Sequence, residues 1–262
     1  MVQRREGSHS ADRRVLVVLF FLLSPAAFLT TASQEGPLPD QEPFFAEVRE
    51  NMARANREQV RYGYKERRTE LHTNPFGHLG TGDVVLYAVT PGPSPSVTFR
   101  TLLERNGRVV QDSKAEKKER QVRTGGPSAV DDTVATLQFS IVRRELLNGR
   151  QTILVRFTPR PDANPQTREG KLAKMFSGSI WVDEAAREVT RVEATAVEDL
   201  SYGFGLLAKV RKGSVVTLTR ERIDDRLWLP TSVKFKGDGR ALLALRKLNI
   251  DFAVEWFDYK KH

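Results

Sequence analysis

The sequence predicts a mainly β protein of the α+β type. It is read as a curved antiparallel meander sheet covered by an N-terminal amphipathic helix and one or two short helices. Three observations carry this reading. Alternating apolar runs recur through most of the chain and are joined by tight turn signals. The long helical crossovers that parallel strands require are missing. A sustained helical period occurs once, near the start. Consecutive hairpins make a meander. A sheet of about ten to eleven strands twists and tends to curl or close. A helix on its concave side then covers the apolar residues.

The elements follow in order. Phe45, Val48, Met52 and Ala55 recur at spacings of three and four, with Pro43 in the first turn, so residues 42–58 form an amphipathic helix. Its stripe reads first as packing on the sheet and, compatibly with that, as lining or lidding a cavity. From Val60 the period becomes two, with Val60, Tyr62 and Tyr64 alternating with Arg61, Gly63 and Lys65. Val84–Val89 and Val97–Leu103 are strands flanking Pro91-Gly92-Pro93-Ser94-Pro95, whose prolines cannot join a ladder. Asn106-Gly107 is a hairpin turn leading to Val109-Val110, and the mixed-charge stretch Lys114–Arg123 is an exposed helix or loop, closed by Gly125-Gly126-Pro127.

Leu137, Phe139 and Ile141 alternate, Asn148-Gly149 turns, and Ile153, Val155 and Phe157 return. A proline loop over 159–165 precedes a short helix, 168–176. Strands over 178–182 and 189–197 flank the turn Asp183-Glu184-Ala185-Ala186. Val215–Ile223 turns at Asp224-Asp225 into Leu227–Phe235. Asp238-Gly239 turns again before Leu248–Phe257.

Composition narrows the function. The chain has 262 residues and no cysteine, which excludes disulfides, thiolate metal sites, thiol catalysis and attachment of lipid through Cys. Arg4, Arg5, Arg13 and Arg14 precede an apolar run from Val15 to Leu23, followed by Ser24-Pro25 and the small residues Thr31-Ala32-Ser33. That pattern is a secretory signal over 1–33, with cleavage near Ala32 or Ser33, and the apolar stretch is short for a membrane span. Residues 34–41 read as a linker and 42–262 as a single domain. The expected location is the periplasm or beyond. Residues 1–33 carry a net +2, which leaves +7 of the chain's +9 for the rest. Export argues against nucleic acid as the partner of this charge. It reads as an arginine-rich solvated surface, or as one that meets anionic lipid or an acidic envelope polymer.

The second half carries a family likeness. Met175-Phe-Ser-Gly-Ser-Ile-Trp-Val-Asp-Glu184 is followed by Val189-Thr-Arg-Val-Glu193, then by Gly213-Ser-Val-Val and Leu227-Trp-Leu-Pro230. The last strand ends in Phe-Asp-Tyr259. Over about residues 176–259 the sequence resembles the LolA/LolB-like superfamily of envelope proteins. That group includes periplasmic lipoprotein carriers, their outer-membrane acceptors and stress-sensing regulators of the RseB type. The first half, with Tyr62-Gly-Tyr-Lys-Glu66 and Glu104-Arg-Asn-Gly107, resembles an exported bacterial branch of it. The resemblance implies an unclosed β-barrel with helices over its mouth and an apolar inner face that holds acyl chains.

The candidate binding residues follow from both readings. Trp181 and Trp228 sit in strands beside turns, as packing aromatics or as cavity lining. Tyr202-Gly-Phe204-Gly-Leu206-Leu207 places four large apolar residues around two glycines, as a bend in the core or as an apolar tip at a cavity mouth. Lys209, Arg211 and Lys212 follow it as head-group contacts. Phe45, Val48 and Met52 complete the expected ligand-binding set.

Catalytic chemistry lacks a motif. There is no Gly-x-Ser-x-Gly elbow, P-loop or dinucleotide fingerprint. Asp183-Glu184 and Asp224-Asp225 fall at turns, where Asp is ordinary, and His72 and His78 lack a nearby third ligand. The expectation is a non-enzyme without cofactor or metal. It binds a lipid or lipoprotein acyl chain in the concave face, for transport, sorting or sensing. The alternative is a protein-interaction or regulatory module of the envelope with no lipid cargo.

Overall fold

Fourteen β-strands and three helices make up this computed structural model, which describes residues 36–73, 79–95, 97–110, 119–122, 127–202, 208–240 and 247–262. Pro37–His262 form one compact unit, and the description below concerns it. Helix α1 spans Gln41–Gln59. Strands β1 (Tyr62–Thr73), β2 (Leu79–Pro91), β3 (Val97–Arg105), β4 (Arg108–Val109) and β5 (Glu119–Val122) follow. Next come α2 (Pro127–Thr136), β6 (Leu137–Leu147), β7 (Arg150–Pro159), α3 (Arg168–Ala173), β8 (Phe176–Asp183) and β9 (Glu188–Ala196). The chain ends with β10 (Leu200–Tyr202), β11 (Ala208–Val210), β12 (Val215–Asp224), β13 (Leu227–Arg240) and β14 (Lys247–Lys261).

Every strand pairing among the described residues is antiparallel, and the sheet runs in the order β4-β3-β2-β1-β14-β13-β12-β9-β8-β7-β6. Among the described residues no ladder joins β6 to the β3–β5 end, so the curved sheet stays unclosed. Two of its turns were legible as Asn-Gly pairs. Asn106 and Gly107 take φ of 50° and 74°, and Asn148 and Gly149 take 51° and 76°. Positive φ at both central residues matches the right-handed twist of the flanking strands.

The register explains the core. Residues directly opposite one another share a face. One row therefore runs Phe139, Phe157, Gly178, Ala194, Val216, Phe235, Phe252 across seven strands. A second runs Ile141, Val155, Ile180, Val192, Leu218, Val233, Val254. Both rows lie on the face that α1 covers. The helix packs Phe44 and Val48 against Ile153, Val155, Val182 and Val189, and Ala55 against Leu227 and Leu229. A Cβ on Gly178 would stand 1.9 Å from the Glu193 carbonyl oxygen, so only glycine fits that place in the row.

Four expectations are corrected. Helix α2 forms where the sequence reading placed only a closing turn. Strand β5 pairs with β3, so part of the charged stretch 114–123 is neither helix nor loop. The second short helix ends at Ala173, and Phe176 already belongs to β8. Asp238-Gly239 is not a turn: both residues sit in the β13–β14 ladder, Asp238 opposite Asn249 and Gly239 opposite Leu248.

At the β6 end, Arg144 binds Glu184 through two 2.6 Å hydrogen bonds and reaches the Pro37 carbonyl at 3.2 Å. The Arg144 guanidinium holds the Glu184 carboxyl below the usual glutamate range. A depressed folded-state pKa contributes stability above the unfolded value and loses it as pH falls through the folded one. In urea unfolding, Glu184→Gln is therefore less stable than the native chain at neutral pH. The gap narrows as pH falls below the ordinary glutamate value of 4.5. A gap that stays constant down to about pH 3 would contradict this.

Candidate functional site

A cavity of about 1790 Å³ lies along α1. This exceeds the roughly 300–1,000 Å³ of sites for drug-sized ligands. Helical geometry sets one wall. Phe45, Val48 and Met52 fall on one edge of α1, while Arg49, Ala53 and Arg57 follow at intervals of four on the neighbouring edge. The sheet supplies the floor with Phe139, Val155, Ile180, Val182 and Val189, from four adjacent strands of the α1-covered face. Helix α2 supplies Val130 and Val134 to the opposite wall. The Phe45 and Phe139 rings meet at 5.9 Å between centroids.

A buried polar cluster fixes the helix over this floor. Glu188 is 1% exposed and Arg220 4% exposed, and they pair at 3.1 Å. Arg220 also donates to the Val189 carbonyl at 3.1 Å, to the Trp228 carbonyl at 2.7 Å and to Met52 Sδ at 2.8 Å. Arg54 of α1 approaches Glu188 at 3.4 Å, and Asn51 of α1 donates to the carbonyls of Ala186 and Arg187. Burial pushes the Glu188 carboxyl upward while Arg220 and Arg54 pull it down. Burial also draws Arg220 down against the pull of Glu188, but a guanidinium stays protonated at any working pH.

The expected binding residues separate into three places. Phe45, Val48 and Met52 line the cavity. Trp181 does not. Its neighbour Ile180 lines the floor, and successive strand residues point to opposite faces. Trp181 donates to Glu145 and stacks beneath Arg191 at 5.4 Å. Trp228 is 5% exposed, lies outside the cavity lining and sits under Arg150 at 5.6 Å. The third place is the ladder extension of β10 and β11. Phe204, Leu206 and Leu207 lie outside the described residues. The backbones of Tyr202 and Lys209 belong to β10 and β11, and β11 pairs with β13 at Gly239 and Arg240. Arg211 is half-buried, Lys212 is exposed, and the Lys212 amide donates to Asp199. Neither Arg211 nor Lys212 is among the residues that line the cavity.

The acidic pairs do structural work. Asp183 is 1% exposed, accepts from Arg150 and receives the Ala186 amide. Asp224 accepts from Tyr62 and from the Asp225 amide. His72 lies in β1, and His78 falls outside the described residues. Among the described residues no helix is long and apolar enough to cross a membrane.

Neither a family model nor a curated protein matches the sequence. The solved structures similar to the chain include a domain from Vibrio parahaemolyticus described as an outer membrane lipoprotein-sorting protein. It is 11% identical, with 83% of this chain and 91% of that one covered at a TM-score of 0.38. A LolA superfamily protein from Nitrosomonas europaea is 11% identical over 82% and 93%, at 0.33. The Pseudomonas aeruginosa MucA/MucB complex matches at 9% identity over 80% and 93%, at 0.24.

Removing one partner of a buried ion pair leaves an uncompensated charge and costs about 3–5 kcal/mol. Arg220→Leu alone is expected to lower the unfolding free energy by that much. The double variant Glu188→Leu/Arg220→Leu loses less than the single one, because no lone charge remains. Urea denaturation of the three proteins checks the order, and a double variant no more stable than Arg220→Leu would refute it.

Proposed function

We propose that this is an exported envelope protein that binds an apolar ligand, a lipid or a lipoprotein acyl chain, between α1 and the concave face of the sheet. Its role is transport, sorting or sensing without chemical change to the ligand. The observation that carries this reading is the cavity itself, whose floor is Phe139, Val155, Ile180, Val182 and Val189 and whose helical wall is Phe45, Val48 and Met52. A core filled by its own side chains would have favoured a protein partner instead.

The physics of the site suits a hydrocarbon. Burial is worth about 0.8 kcal/mol per methylene. An acyl chain is therefore held without any polar contact deep in the cavity. The residues below α1 that do carry charge, Glu188 and Arg220, satisfy one another and neighbouring carbonyls. They support the helix and leave the floor apolar. The signal-like residues 1–33 support export, and the resemblance over 176–259 supports an envelope role.

Ile180 is half-buried on the cavity floor, so a larger side chain there fills space that the ligand would take. Fluorescent fatty-acid titration of the purified protein is expected to show saturable binding, weakened about tenfold or more in Ile180→Trp, with the thermal midpoint little changed. No saturable binding to the native chain, or equal binding by a folded Ile180→Trp, would overturn the proposal.

A further inference from the structure

The cavity is not uniform along its length. Its apolar floor lies under the first three turns of α1, where Phe45 meets Phe139 and where Val48 and Met52 pack near Val155, Val182 and Val189. Toward the end of the helix the partners of α1 change. Ala55 packs on Tyr62, Leu227 and Leu229, none of which lines the cavity. The lining there comes instead from Asn56, Arg57, Val60 and Arg61, with Pro95 from the β2–β3 connection.

Charge divides the same way. The three acidic lining residues are Glu42, Glu50 and Asp131, all at the apolar end, where Arg49 and Arg160 accompany them. The lining contributed by residues 56–61 carries only the cations Arg57 and Arg61. Arg61 is shared with Glu58 at 3.3 Å, both partly open to solvent. Arg57 makes no ion pair among the described residues. Arg57 and Arg61 together outweigh Glu58 and the roughly half negative charge of the helix C-terminus, so this end stays cationic. A planar guanidinium also offers paired donors that match carboxylate and phosphate oxygens.

We infer that the ligand is an anionic amphiphile with a fixed orientation. Its tail lies on the floor beneath Phe45, Val48 and Met52, and its carboxylate or phosphate head meets Arg57 and Arg61. This rests on the apolar-ligand reading and adds polarity and direction to it. It also moves the head-group contact from Lys209, Arg211 and Lys212 to the end of α1. Lys209 lies within β11, and Arg211 and Lys212, which follow it, are not among the residues that line the cavity.

Matched ligands test it. Hexadecanol, palmitate and hexadecyl phosphate share a tail and differ in the head. Their affinities for the whole mature chain are measured by displacement of a fluorescent fatty alcohol. The native protein is expected to hold the anionic pair about tenfold tighter than hexadecanol, with the preference shrinking as salt rises. The ratio of phosphate to carboxylate distinguishes the two head chemistries. Arg57→Gln/Arg61→Gln abolishes the preference by weakening palmitate and hexadecyl phosphate more than hexadecanol, while Arg57→Lys/Arg61→Lys retains part of it. Both positions are exposed, so the variants keep the fold. Equal affinity for all three ligands, or a preference that survives the Gln variant, overturns the head-group assignment and leaves the apolar-ligand reading standing. Failure of every ligand to bind overturns that reading and the assignment together.

Discussion

The ion pair between Glu188 and Arg220 sets the position of α1, and the cavity depends on that position. A helix laid across a curved sheet has a free choice of angle if only its apolar stripe contacts the strands. Here Arg220 reaches Met52 from below, and Glu188 receives Arg54 from above. Asn51 adds two hydrogen bonds to the β8–β9 turn. Buried pairs of this kind contribute little net stability but fix one arrangement against others. The arrangement fixed is one that presses Phe44 and Val48 into the core and leaves the neighbouring edge of the helix lining a cavity.

The sheet meets the helix with two apolar rows that cross seven strands, and α1 and α2 are too small to cover them all. Near β6 to β9 the cover is partial: Val155, Val182 and Val189 are buried beneath α1, while Phe139 and Ile180 stay half-buried at the cavity floor. The sheet is also left open at β6, where no further strand pairs among the described residues. Incomplete closure and incomplete cover thus have one structural consequence, an apolar space reachable from outside.

Much of this was legible in the sequence because strand alternation is a local signal. Ile153, Val155 and Phe157 declare their shared face without reference to any partner, and the Asn-Gly pairs declare their turns. The stripe Phe45, Val48 and Met52 was legible for the same reason, and it is the part of the expected site that lines the cavity. Glu188 and Arg220 were not legible. They lie 32 residues apart and look like any solvated charges on strands until the fold brings them together. Trp181 misled because its neighbours Ile180 and Val182 are both apolar, which hides the alternation. The bulge between Trp181 and Val182 then shifts the register as well. Asp238-Gly239 carries a strong turn signal that the β13–β14 ladder overrides, and α2 begins at the proline of a Gly-Gly-Pro stretch that reads as a break.

The central claim is that the space beside α1 holds a hydrocarbon. Native mass spectrometry of the mature chain purified from a bacterial envelope, followed by organic extraction, tests it most directly. The account predicts a discrete added mass that leaves with the organic phase and returns on incubation with lipid. A chain that flies at its bare mass before and after lipid incubation would contradict it.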